Sequence, residues 1–179
     1  MLYEVLVHVP ETYSDTKKFD SGFELFVENE TDDVVNTIRH GEVIETPILI
    51  PSILKKGDEI YFHHNIVRKN VDWHGKIKNG MFEFDRTKGL YRCPLQEIFA
   101  IVSGGQFKAV APYCFVKPIK QIEIVKRGEL FVKNTNAEDS QYGIIAYGNE
   151  DLDKMNIYKG DMVLFSKDSE YTYNIFGEK

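Results

Sequence analysis

The 179-residue chain has little of what usually marks chemistry or a special compartment. It holds two cysteines, Cys93 and Cys114, which are too few for a disulfide framework. Neither stands in a Cys-x-x-Cys or Cys/His run of zinc spacing, so a reducing compartment is the expected setting. No stretch approaches 18 uncharged apolar residues, and Met1-Leu2-Tyr3-Glu4-Val5 lacks a basic region leading into an apolar run. These absences lead us to expect a cytosolic protein with no membrane partner. Positive charge is also short: 22 Lys and Arg stand against 28 Asp and Glu, a net charge of −6 that argues against a protein built to coat nucleic acid. A Gly-x-Gly-x-x-Gly dinucleotide fingerprint and a Ser/His/Asp or Cys/His arrangement are missing, so neither a cofactor nor catalysis is expected. Helical periodicity is nearly absent as well.

What is present is material for a β core, with 42% apolar and 13% aromatic residues against an ordinary 28% charged fraction, which excludes disorder as the main state. Short β-rich runs recur with Gly, Pro, Asn and Asp between them, and the chain reads as all-β. Strands are expected over 3–9, 23–27, 41–45, 59–64, 82–84, 89–93 and 99–102. A second series is expected over 113–116, 129–132, 142–147, 162–165 and 171–176.

Three blocks of the first series reappear in order in the second. Glu24-Leu25-Phe26-Val27-Glu28-Asn29 returns as Glu129-Leu130-Phe131-Val132-Lys133-Asn134, each copy preceded by a glycine, Gly22 or Gly128. Lys56-Gly57-Asp58 before Glu59-Ile60-Tyr61-Phe62 returns as Lys159-Gly160-Asp161 before Met162-Val163-Leu164-Phe165, and Gly41-Glu42-Val43-Ile44 returns as Gly143-Ile144-Ile145-Ala146. The offsets are 105, 103 and 102, too uniform for chance. The expected organisation is two homologous β domains, 1–103 and 104–179, joined near Ser103-Gly104-Gly105. In the Lys-Gly-Asp turn, Gly57 and Gly160 supply a positive φ, and Asp58 and Asp161 bond to nearby backbone N–H groups.

This repeated script of strand, polar stretch, glycine with an apolar patch, strand from glycine, and Lys-Gly-Asp turn into a further strand resembles the co-chaperonin family. These are the GroES-like or chaperonin-10 proteins, and the closest likeness is to the divergent forms that bacteriophages encode. The resemblance covers nearly the whole chain, once per repeat. It implies two tandem small GroES-like β-barrels, the second lacking its last strand, since the chain reaches Lys179 where the family supplies that strand. A shortened chain or a strand supplied by a neighbouring chain is then expected. Departures are Thr46-Pro47 in place of a second glycine and an insertion around 71–85.

The resemblance implies a lid for a chaperonin chamber. Family members form a ring whose loops each offer an apolar patch to the chaperonin apical domains. Ordering such a loop keeps each contact weak, while several loops on one ring add through effective concentration. The loop candidates here are 9–29 and 117–134, with Phe23, Leu25 and Phe26 as anchors of the first and Leu130 and Phe131 of the second. The bland alternative is that Leu25, Val27, Leu130 and Val132 are the inward residues of strands. Assistance to the folding of viral proteins such as a capsid subunit, in the host cytoplasm, would follow. A virion structural or adaptor protein reusing the same barrels is the alternative.

Other conspicuous residues carry weaker signals. His63, His64, His74 and Cys93 fit no closed zinc pattern, and adjacent His63 and His64 on a strand would point to opposite faces. The acidic runs 28–33 and 150–153 are expected in solvated loops and do not match calcium-loop spacing. Cys93 and Cys114 are expected to be buried, inert thiols. The basic cluster 117–127 reads as a strand with outward charges.

Overall fold

The computed structural model describes residues 1–10, 16–18, 24–26, 37–50, 53–68, 70–71, 73–74, 77–78, 80–127, 130–166, 171–173 and 175. The protein is all-β, with one short α-helix among the described residues, and it divides into two compact units, Met1–Lys108 and Ala109–Lys179.

In the first unit, seven antiparallel strands form one sheet. In chain order these are β1 (Glu4–His8), β4 (His40–Glu45), β5 (Glu59–Phe62), β8 (Glu83–Asp85), β9 (Leu90–Pro94), β10 (Ile98–Ser103) and β11 (Gln106–Ala109). They lie in the order β11-β10-β5-β4-β1-β9-β8. Two hairpins stand apart from this sheet: β2 (Thr16–Lys18) with β3 (Glu24–Phe26), and β6 (Asn70–Val71) with β7 (Ile77–Lys78). The expected insertion at 71–85 thus adds the end of one small hairpin and the strand β8 on the sheet's edge. The core is built from Val5, Val7, Val43, Ile60, Phe62, Cys93 and Ala100, all fully buried. In β9 burial alternates, Tyr91 and Cys93 inward, as the pleat requires of a strand covered on one face.

The link expected at Ser103-Gly104-Gly105 is instead a tight turn inside the first unit. Gly104 (φ 57°) and Gly105 (φ 78°) join β10 to β11 as a two-residue loop. A loop of this length whose two residues both have positive φ matches the right-handed twist of its flanking strands, and only glycine adopts it without strain. The division between units therefore falls after Lys108, a few residues beyond the expected position.

The second unit contains β12 (Phe115–Arg127), β13 (Leu130–Tyr147) and β14 (Met162–Leu164) in that sheet order, with α1 (Glu150–Lys154) between the last two. The runs expected at 129–132 and 142–147 belong to one long strand. Segment 171–176 does not form the expected strand among its described residues, although Tyr173 and Ile175 are buried and the Tyr173 ring meets Phe115 edge-on at 5.8 Å. The acidic run 150–153, expected as a loop, is helical. Asn149 caps it, its Oδ1 accepting the N–H groups of Asp151 (2.9 Å) and Leu152 (3.0 Å), while Glu150 and Asp151 favour the helix N-terminus. Asn156 (φ 59°) ends it, with the Ile157 N–H returning to the Leu152 carbonyl at 3.0 Å.

Candidate functional site

The sequence repeat is reproduced in the register of the backbone ladders. In the first unit β1 meets β4 as Leu6 with Glu45 and Val7 with Val43, with a register shift between Leu6 and Val7. In the second, β12 meets β13 as Phe115 with Tyr147 and Val116 with Ile145, with the shift between Phe115 and Val116. The next ladder repeats too: His40-Tyr61, Gly41-Ile60 and Glu42-Glu59 correspond to Tyr142-Leu164, Gly143-Val163 and Ile144-Met162. Even the bond that closes each ladder recurs, Phe62 N–H to Arg39 carbonyl and Phe165 N–H to Gln141 carbonyl, both 2.9 Å.

The two Lys-Gly-Asp turns are superimposable in their bonding. Gly57 (φ 89°) donates its N–H to the Val43 carbonyl, and Gly160 (φ 98°) to the Ile145 carbonyl, each at 2.9 Å. The Asp58 carboxylate accepts the Lys55 N–H and the Asp161 carboxylate the Tyr158 N–H, each at 2.7 Å. Each turn therefore fixes the start of its strand through one carboxylate and one left-handed glycine. The glycines of the preceding strands, Gly41 in β4 and Gly143 within β13, serve close approach instead. A Cβ on Gly41 would lie 2.7 Å from the His8 carbonyl oxygen, and one on Gly143 would lie 2.9 Å from the Val116 Cβ.

Both candidate docking segments leave this repeated scaffold at the same place, between its first and second strands. In the first unit Leu25 and Phe26 lie on β3, in register with Lys17 and Thr16 of β2. In the second, Leu130 and Phe131 begin β13, in register with Arg127 and Lys126 at the end of β12. Phe23 lies outside the described residues. The candidate loop 117–134 is thus, over its described residues, a two-stranded hairpin, and the basic cluster 117–127 is one arm of it. Elevating a short apolar segment on a hairpin rather than a strandless loop lowers the ordering cost of any contact it makes.

The titratable residues lie elsewhere. His63 and His64 are not on opposite faces of a strand, because β5 ends at Phe62 and His63 starts a 3₁₀ turn, its Nδ1 accepting the Asn65 N–H at 3.2 Å. Their rings lie 4.3 Å apart. Burial holds His63 below its ordinary value, opposed by the Glu97 carboxylate and aided by Arg39. Among the described residues no group of three or more His, Cys, Asp or Glu side chains is placed to hold a metal. Cys93 is buried as expected and its thiol is pushed far upward by burial, whereas Cys114 is exposed, contrary to expectation. Trp73 is exposed, its ring tilted by 36° against that of the adjacent His74. A cleft of about 120 Å³ beside Arg68, Glu83 and Arg86 is smaller than an ordinary ligand pocket. No helix among the described residues is long and apolar enough to cross a membrane.

No described protein family, curated protein or solved structure matches this chain.

Proposed function

We propose that the protein is a co-chaperonin of the GroES-like kind: a ring-forming lid that docks on chaperonin apical domains through the apolar tips of its hairpins and performs no catalysis itself. The carrying observation is the position of the two Leu-Phe pairs, Leu25-Phe26 and Leu130-Phe131. Each sits on a hairpin that leaves a repeated strand-and-turn scaffold at the same point. A repeat kept only for packing gives no reason to preserve the Leu-Phe hairpin along with the Lys-Gly-Asp turn.

On this reading Phe23, Leu25, Phe26, Leu130 and Phe131 enter an apolar groove, and the partners are chaperonin subunits and further copies of this chain. No nucleic acid, membrane or cofactor takes part, and the work is done in the cytoplasm. With two units per chain, each offering one docking hairpin, a ring on this reading forms with half as many chains as docking positions. The test is a native mass measurement of the full chain with a chaperonin and ATP, comparing wild type with Phe23→Ser/Leu25→Ser. Wild type is expected to form a nucleotide-dependent complex that the double variant weakens. Stable incorporation into viral particles without chaperonin binding would instead support a structural or adaptor role.

A further inference from the structure

The repeat makes it possible to compare one face of the scaffold between its two copies, position by position. In an antiparallel ladder, directly paired residues and residues two apart share a face. On the first unit's β4–β5 ladder the face that carries His40, Glu42, Glu59 and Tyr61 is polar, with only Tyr61 buried. His40 Nδ1 bonds Glu59 Oε1 at 2.7 Å, and the buried Tyr61 ring is stacked by His40 at 5.5 Å and met edge-on by Phe107 of β11 at 5.2 Å. The same four positions of the second unit hold Tyr142, Ile144, Met162 and Leu164. They are 41%, 42%, 68% and 65% exposed. Both carboxylates and the histidine have been exchanged for apolar or aromatic side chains. No counterpart of β10 or β11 appears beyond β14 in the sheet order among the described residues.

We infer that this face of β13–β14 is a self-association surface, occupied by the same face of a second copy of the chain. A two-fold contact sets a patch against itself, so a charged patch meets its own charge and an uncharged one does not. The first unit's face, with Glu42 and Glu59, is unsuited to such a contact, and the second unit's face has lost those carboxylates. Four contiguous exposed apolar side chains on one ladder are also more than singly scattered surface residues explain. Sheets that pack face to face bury such side chains between them at about 10 Å spacing.

The test is sedimentation velocity of the full chain over a range of concentrations. Wild type is expected to associate reversibly. Met162→Lys/Leu164→Lys and Met162→Glu/Leu164→Glu should each weaken that association on the order of a hundredfold and halve the mass, whatever larger ring the chain belongs to. Mixing the two variants should restore the wild-type mass, which neither misfolding nor loss of another partner explains. These side chains are largely exposed, so circular dichroism and melting midpoints should match wild type; where the double variants fail to fold, Met162→Lys and Met162→Glu alone serve the same comparison. A wild type without this association, variants that keep its mass, or a mixture that stays dissociated would each overturn the inference. So would variants that keep their mass but lose a chaperonin, which would assign the face to that partner.

Discussion

At the scale of single residues, Asp58 and Asp161 do the same work in two settings. Each carboxylate accepts one backbone N–H at 2.7 Å and so holds the turn that launches a strand. Asp58 is buried and Asp161 exposed. Asp58→Ala is expected to lower stability by about 1.5–3 kcal/mol in chemical denaturation, with a smaller loss for Asp161→Ala, because removing a charged acceptor in a buried site leaves its N–H donor unsatisfied. Gly41 has no room for a side chain, since its Cβ would press on backbone at His8, so Gly41→Ala should cost about 1–3 kcal/mol by the same measurement.

His63 gives a prediction in pH. Its pKa is lowered in the folded state from 6.5, so the unfolded chain binds the proton more readily and stability rises with pH across that range. The contribution is present above the unfolded value and is lost as pH falls below about 6.5, so denaturation midpoints should drop from pH 7.5 to 5.5, and His63→Gln should flatten part of that slope. An unchanged slope in the variant would assign the pH dependence to other groups.

At the scale of elements, most strands were legible because Gly and Asp punctuate short apolar runs, as at Gly41 near the start of β4 and Lys-Gly-Asp before β5 and β14. What was not legible depended on pairing. The run 117–127 reads as a strand with outward charges and the overlapping segment 117–134 as a docking loop, and only the long ladder of β12 to β13 joins the two into one hairpin. Gly104-Gly105 reads as a link between domains until β11 is seen to pair with β10. Helix α1 was hidden among acidic residues, although Asn149, Glu150-Asp151 and Asn156 are ordinary cap signals. The apolar face of β13–β14 was visible in principle, by reading Glu42 against Ile144 and Glu59 against Met162 across the repeat. Its exposure required the structure. The two hairpins that carry Leu25-Phe26 and Leu130-Phe131 belong to this scale as well. Their removal from either unit should leave the ladder between β4 and β5, or between β13 and β14, in place, which hydrogen exchange of Gly57 and Gly160 amides would report.

For the whole molecule, the internal repeat is the organising fact: two units share strand register, bulge position, turn bonding and point of departure of a hairpin. They differ in what surrounds that scaffold, seven strands in one sheet and three in the other among the described residues. The proposed docking role falls on both hairpins. The most direct measurement is the affinity of the full chain for a chaperonin, with and without ATP, for wild type, Leu25→Ser/Phe26→Ser, Leu130→Ser/Phe131→Ser and the four-site variant. Two apolar anchors lost per hairpin should weaken binding at least tenfold for either pair, about 1.4 kcal/mol or more, and the four-site variant should lose it altogether. A wild type that does not bind in any nucleotide state, or a four-site variant that binds as wild type does, would contradict the claim.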